Sequence, residues 1–225
     1  MQELTAAWVA LKLGGAMVYP LLIVGGLALI IIVDRAAVYM SILHLPKTLT
    51  NLIEARDFSW TELEAGMLKL RPNNAYRRFL GAIAQNRNQP AWWVESRAGD
   101  EAASIEGSLN RGLWVLETVV TGAPLMGLLG TITGMMQAFR VIGASSLVAP
   151  TQVTAGVAQA LIATALGLLI AIFALFAFNF FARAQSRALD RMERLGSRLI
   201  DHLRLDQQGL EEKLTRISVA VGGAS

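Results

Sequence analysis

The chain has 225 residues, 54% of them hydrophobic, with a formal net charge of +3 and no cysteine. This composition indicates an integral membrane protein with modest soluble parts. The lack of cysteine excludes disulfides and thiolate chemistry, and the two histidines lie far apart in sequence, so neither a metal nor any other cofactor is predicted. The small net charge is spread along the chain and does not indicate a nucleic-acid partner.

The first membrane span is predicted at residues 14–33, which carry no charge and are closed by Asp34 and Arg35. A run of this length is enough to cross a bilayer as a helix. Pro20 lies within it and marks a place where the helix can kink. Residues 1–13 precede the span as a short segment on the outer side.

Residues 34–117 are predicted to form a helical domain on the inner side, with helical stretches near 47–70 and 75–87. Apolar residues from Val94 to Leu116 recur every three or four positions, which is typical of an amphipathic helix. Because this pattern runs straight up to the next apolar run, it predicts one long helix leading into the second span, bent near Pro124.

Two further spans are predicted at residues 118–139 and 153–182, joined by an outer loop at 140–152. From Thr118 to Ala182 the chain contains no Asp, Glu or Lys, and Arg140 is the single charge. Membrane proton relays usually run through Asp, Glu or His. If this protein conducts protons, the proton-binding group must therefore come from another chain.

The third helix is predicted to continue past the membrane through residues 183–225. Lys and Arg are concentrated in 34–117, with ten, and in 183–225, with eight. The positive-inside rule then places both segments in the cytoplasm and the N-terminus outside.

Small residues form a stripe along each of the last two spans, a pattern that lets membrane helices pack closely. The residues assigned to helix packing are Gly127, Gly130, Gly134, Gly156, Ala160, Gly167 and Ala171. Thr131 and Thr164 lie within these stripes near the middle of the spans. A threonine in a membrane helix can simply bond a carbonyl of its own helix, so the hydroxyls alone do not define a site.

The sequence contains no recognisable set of catalytic residues, and an enzyme is not predicted.

The segments APLMGLLGTITGMMQAF at 123–139 and GVAQALIATALGLLIAI at 156–172 resemble the ExbB/TolQ/MotA proton-channel family, and its ExbB branch most. Alternatives are a TolQ-like envelope-constriction role, a MotA-like stator and a non-conducting oligomeric membrane scaffold.

The resemblance implies an all-α protein of the bacterial inner membrane that forms a homo-oligomeric ring, a pentamer in the family. It implies a proton-motive-force-driven motor with an ExbD-like single-span partner that supplies an intramembrane aspartate, and a TonB-like protein that receives the energy. Thr131 and Thr164 match positions that face this aspartate. Gln159 stands where some relatives carry Glu and is assigned with the two threonines to the ion pathway and the partner contact, although it lies about 140° from Thr164 around the helix.

Overall fold

The computed structural model of the chain describes residues 15–55, 57–144 and 150–222, and the regular structure in these ranges is entirely α-helical. The described residues form seven helices: α1 (Val18–Ile42), α2 (Lys47–Glu54), α3 (Trp60–Leu68), α4 (Ala75–Gln85), α5 (Ala91–Asn110), α6 (Leu113–Ala144) and α7 (Pro150–Gly222).

Three helical stretches are long and apolar enough to cross a membrane, at Val18–Ile42, within Ala91–Arg140 and within Thr154–Gly209. In their most apolar windows only 11% to 28% of the residues are buried within the chain. Because exposed apolar surface of this extent is solvated by lipid, the prediction of an all-α integral membrane protein with three transmembrane helices is confirmed. The ring stays a prediction.

The first helix differs from its predicted span at both ends. It begins at Val18 and continues through Asp34 and Arg35, whose side chains form a 2.7 Å ion pair, to Ile42. Pro20 therefore lies in the first turn, where the missing N–H has no helical partner to lose. For this reason Pro20 starts the helix rather than kinking its middle.

The chain divides into two compact units. Of the described residues, the first unit holds those up to Ala36 and within Arg111–Ala182, and the second holds those within Ala37–Asn110 and from Arg183 to Gly222. The first unit thus contains the apolar parts of α1, α6 and α7. The second contains α2 to α5, the end of α1 and the C-terminal part of α7.

The core of the second unit is built on short helices that pack against α7. Asn74 caps α4 by accepting hydrogen bonds from the backbone N–H groups of Tyr76 and Arg77, at 2.9 and 3.2 Å. Its side-chain amide also donates to the carbonyl of His44 at 2.8 Å, which fixes the preceding loop. The cap orients α4 so that Phe79 and Ile83 contact α7 at Gly196.

Polar contacts link α5 to α7 at both ends of this core. The Tyr39 hydroxyl lies 3.4 Å from both the Leu109 carbonyl oxygen and Gln185 Oε1. At the other end of α5, Arg204 on α7 bonds Glu95 at 3.3 Å. These two contacts show that α5 and the C-terminal part of α7 run antiparallel to each other. The predicted helical stretch at 47–70 contains two helices here, α2 and α3.

The chain turns at Arg111 and Gly112, between α5 and α6. Gly112 has φ +84°, a left-handed conformation that favours glycine, and its carbonyl accepts the first hydrogen bonds of α6, from Val115 and Leu116. The predicted continuous helix over this stretch is therefore divided in two. Pro124, the expected bend, lies inside α6, which continues to Ala144.

Replacement of Gly112 by alanine should destabilise the protein by about 1–2 kcal/mol, because a residue with a Cβ is strained at this φ. Gly107→Ala is the matched control, since it lies within α5 with open space around it and should gain up to about 1 kcal/mol of helix propensity. The measurement is the free energy of unfolding in detergent. Equal effects of the two substitutions would contradict the role assigned to the turn.

Candidate functional site

Helices α6 and α7 approach each other through small residues within one chain. A Cβ added at Gly167 would lie 2.5 Å from the carbonyl oxygen of Ala123, and one added at Gly127 would lie 3.0 Å from the Cα of Thr164. Both glycines are therefore required for backbone contact. The small-residue stripes of α6 and α7 therefore pack against each other within one chain.

The same close packing extends toward the far end of the pair. Added Cβ atoms at Gly130 and Gly134 would lie 2.5 Å and 3.0 Å from the Cβ atoms of Ala163 and Ala160, and one at Gly156 would lie 2.8 Å from that of Ala138. Ala160 and Ala171 are buried. Because the contacts pair rising numbers in α6 with falling numbers in α7, the helices are antiparallel.

The Thr164 hydroxyl donates a 3.0 Å hydrogen bond to the carbonyl oxygen of Gly127 on the facing helix. This bond is possible because Gly127 has no side chain to hold the backbones apart. Sequence reasoning missed Gly127 as an acceptor, since a carbonyl group leaves no signature in the residue pattern.

The Thr131 hydroxyl bonds within its own helix, to the carbonyl of Leu128 at 2.7 Å. Thr131 lies one turn from Gly127, so its Cα is about 6 Å along the helix from the acceptor of the Thr164 hydroxyl. The structure thus brings the two threonines to neighbouring depths. The simplest interpretation, a bond to the threonine's own helix, describes Thr131 but not Thr164.

Both threonines lie at one side of the contact between the helices. On each helix the threonine lies about 60° around the helix axis from the centre of the small-residue stripe. The direction of this offset is the same on both helices when each is viewed from its own N-terminus. Since the helices are antiparallel, equal rotations place both hydroxyls on the same side of the pair. We call this surface the threonine edge; it consists of Thr131 and Thr164 with their exposed neighbours Leu128, Leu161 and Leu168.

Helix α1 covers the opposite side of the pair. Gly25 of α1 faces Ile170, with an added Cβ 3.1 Å from its Cδ1, and Met17 lies beside Gly130. Gln159 packs against Gly15, which has φ +70°. Gln159 therefore faces α1, on the side of α7 away from the threonine edge, and the structure does not bring it together with the threonines.

The threonine edge is uncharged. No carboxylate occurs between Thr118 and Ala182 in the sequence, and Arg140 is exposed near the end of α6. In the part of the chain that the structure describes, no cluster of His, Cys, Asp or Glu could hold a metal ion. The edge can offer hydroxyl groups to a ligand, but it cannot by itself bind and release a proton as a carboxylate does.

Three apolar spans, two of them joined through glycines and presenting paired hydroxyls, define a polytopic membrane protein with a polar edge in mid-span. A model of the MotA/TolQ/ExbB proton channel family matches residues 71–194, which is more than half of the chain. This protein belongs to that family, as the two span motifs predicted.

Individual relatives agree with the ExbB branch. The chain is 32% identical to a Synechocystis protein named as ExbB-like 1 in biopolymer transport, over 83% of this chain and 74% of the relative. It is 41% identical to the biopolymer transport protein ExbB of Aquifex aeolicus, over 36% of this chain and 55% of the relative. The Tol-Pal system protein TolQ of Pseudomonas aeruginosa is 38% identical, over 38% of this chain and 37% of the relative.

Gly167→Ala should separate α6 from α7, because its Cβ would lie 2.5 Å from a backbone oxygen that cannot move aside cheaply. We expect a loss of about 1–3 kcal/mol in the free energy of unfolding, as for overpacking elsewhere. Gly122→Ala is the control in α6, where an added Cβ meets nothing within 4 Å. If both variants are as stable as the parent protein, the stripes do not hold the pair together.

Proposed function

We propose that the chain is the ring-forming subunit of an ExbB/ExbD-type motor in the bacterial inner membrane. The motor is driven by the proton motive force and energises TonB-dependent outer-membrane transport through a TonB-like protein. The threonine edge carries this proposal, since it presents two hydroxyls of a proton-channel family member on the side that α1 leaves open.

The hydrogen bonding of the two hydroxyls suits a partner that supplies a carboxyl group. Each threonine donates its proton to a backbone carbonyl, Thr131 to Leu128 and Thr164 to Gly127. The oxygen of each hydroxyl keeps lone pairs that can accept a hydrogen bond. A protonated aspartic acid at the edge can therefore donate to a threonine without disturbing either carbonyl contact.

Loss of the proton reverses these roles. An aspartate only accepts hydrogen bonds, so it is stabilised when a threonine hydroxyl rotates away from its carbonyl and donates to the carboxylate. The carbonyls of Leu128 and Gly127 remain acceptors of the helix's own N–H groups, so this rotation leaves neither unpaired. Two hydroxyls at neighbouring depths then serve the two protonation states of one ExbD-like aspartate.

The geometry also separates the role of Gln159 from that of the threonines. Because Gln159 packs against Gly15 on the α1 side, a helix docked at the threonine edge is not in its reach. We assign Gln159 to the contact between α7 and the start of α1. Its predicted place in the ion pathway has no support from this packing.

The proposed topology follows from the charge distribution. With three spans, the ten Lys and Arg residues of 34–117 and the eight of 183–225 lie on one side of the membrane, which the positive-inside rule identifies as the cytoplasm. The N-terminus and the 140–152 loop then lie in the periplasm. The similarity to TolQ supports one second candidate, a motor for envelope constriction with the same proton chemistry.

Thr131→Val and Thr164→Val should each abolish most of the motor's function while leaving assembly intact. A hydrogen bond to a charged group contributes about 1.5–3 kcal/mol, so its loss predicts a decrease of about tenfold or more in energised uptake. A hydrogen bond between membrane helices contributes only about 0.6–2 kcal/mol, which assembly can lose. The measurement is growth on a substrate that needs TonB-dependent uptake, together with the yield of the complex.

Thr131→Ser and Thr164→Ser are the matched controls, because they keep the hydroxyl and remove only a methyl group. They should retain most of the growth. Normal growth of both valine variants would leave the threonines as packing residues and would favour the non-conducting scaffold.

Vesicles that contain only this chain should hold a pH gradient. The spans from Thr118 to Ala182 offer no titratable carboxylate, and a path lined by Leu, Met and Thr can exclude water. Addition of an ExbD-like partner should release the gradient, whereas a partner with its aspartate changed to asparagine should not. Rapid proton flux without any partner would show that the carboxylate of another chain is not needed.

A further inference from the structure

A groove lies on the second unit between α5 and α7, with a volume of about 460 Å³. Its floor is made of small and apolar residues, among them Ala98, Gly196 and Ile200, which are buried. Four carboxylates stand on its walls: Glu95, Glu106, Asp190 and Glu193. We call this the carboxylate groove.

The carboxylates of the groove are mostly uncompensated within the chain. Glu95 bonds Arg204 at 3.3 Å. Among the described residues, Glu106, Asp190 and Glu193 form no ion pair. Because α5 and α7 are antiparallel and Leu109 lies level with Gln185, Glu106 and Asp190 are on opposite walls at nearly the same height. Like charges placed this way repel each other and favour a cation between them.

A second face of α7 is dominated by positive charge. Five exposed arginines follow one another along it at spacings of three or four residues: Arg183, Arg187, Arg191, Arg194 and Arg198. We call this the arginine ridge. In the described part of the chain none of the five is in an ion pair, and like charges at this spacing destabilise a helix.

The positive charge of the arginine ridge acts on a buried residue of the second unit, Tyr76. Burial raises the pKa of the Tyr76 hydroxyl, and the positive charges of Arg191 and Arg194 oppose this rise. In the part of the chain that the structure describes, no carboxylate forms an ion pair with Arg191 or Arg194, so a partner with negative groups would be favoured there.

The ridge and the groove lie on different sides of α7. At 100° per residue, the buried positions Met192, Leu195 and Leu199 define one direction, and the ridge lies about 120° from it. The α7 positions that line the groove centre about 120° from the ridge on its other side, where Glu193 lies about 120° and Asp190 about 60° from the ridge. One copy of the chain therefore presents complementary charges in two different directions. Among the described residues, no ion pair joins the ridge to the groove.

We propose that the arginine ridge of one copy docks into the carboxylate groove of a second copy. Copies that span the same membrane lie at the same depth, so Asp190 and Glu193 of one copy meet Arg191 and Arg194 of the next, at the same level of α7. The contact is heterologous, because it joins two different surfaces. Repeated from copy to copy, such a contact closes into a ring when 360° is a whole multiple of the rotation between neighbouring copies. This inference rests on the proposed function only in that copies of the chain meet in one membrane.

A second copy fits better than the other sources of charge. An anionic membrane surface could neutralise the arginines nearest the bilayer, but it would leave the carboxylate groove without a cation. A basic segment of another protein would fill the groove but leave the ridge exposed. The second copy supplies both partners with one contact.

The test reverses each surface separately and then both together. The groove variant is Asp190→Arg with Glu193→Arg, the ridge variant is Arg191→Glu with Arg194→Glu, and the combined variant has all four changes. Self-association is measured by energy transfer between labelled copies in phosphatidylcholine vesicles. Because like charges would then face each other, we expect the associated fraction of the groove and ridge variants to fall about tenfold.

The combined variant should associate again, and so should an equal mixture of the groove and ridge variants, because each pairing is then between opposite charges. Glu54→Arg with Glu62→Arg is the control, since it makes the same charge change at exposed positions outside both surfaces. Circular dichroism checks that every variant keeps its helices.

Three outcomes would overturn the proposal: association of the groove and ridge variants at the parental level, no recovery in the mixture and the combined variant, or an equal loss in the control. If only the ridge variant loses association, and only in vesicles with phosphatidylglycerol, the ridge is a site for anionic lipid and the proposal also fails. None of these measurements uses an ExbD-like partner or proton flux. A failure of the proposed motor function therefore leaves their result unchanged.

Discussion

The arrangement of the spans depends on the contact between the backbones of α6 and α7. In a bilayer there is no hydrophobic gain in joining two apolar helices, so their association relies on close packing and on a few polar bonds. Gly127 and Gly167 permit that approach, and the Thr164 bond to the Gly127 carbonyl follows from it. The positions of both hydroxyls are therefore a consequence of residues that have no side chain.

Helix α1 gives the pair two unlike sides. Ile170 faces α1, and Gln159 and Gly130 face the residues just before it, whereas Thr131 and Thr164 face away. In the part of the chain that the structure describes, only the second side is open to a further helix without displacing a contact of the chain itself. A ring built from such units would direct the same open side of every copy toward a shared partner, and the charged surfaces of the second unit would set the contact between neighbours.

Much of this could be predicted from the sequence. Uncharged runs located the spans, and the spacing of Gly and Ala located the faces by which α6 and α7 pack, because both patterns report helical periodicity directly. The turn at Gly112 was missed because the apolar pattern continues across it, although a glycine after Arg111 is itself a signal for the end of a helix. The Thr164 acceptor was missed because it is a backbone atom on another helix. Ala163 has the spacing of the stripe and could have been included. The carboxylate groove on the second unit could not be predicted. It depends on which faces of α5 and α7 pack together, and the periodicity within one helix does not give this information.

The fit at Gly167 also limits how the spans can move. Sliding α7 past α6 by one turn would bring Ala163 or Ala171 to the position of Gly167, where a Cβ would lie 2.5 Å from the Ala123 oxygen. The same shift would remove the Thr164 hydroxyl from the Gly127 carbonyl. The two helices are thus locked in register and cannot work as a piston. Any stroke that accompanies ion passage must instead move the pair as one rigid body or turn a partner helix against it.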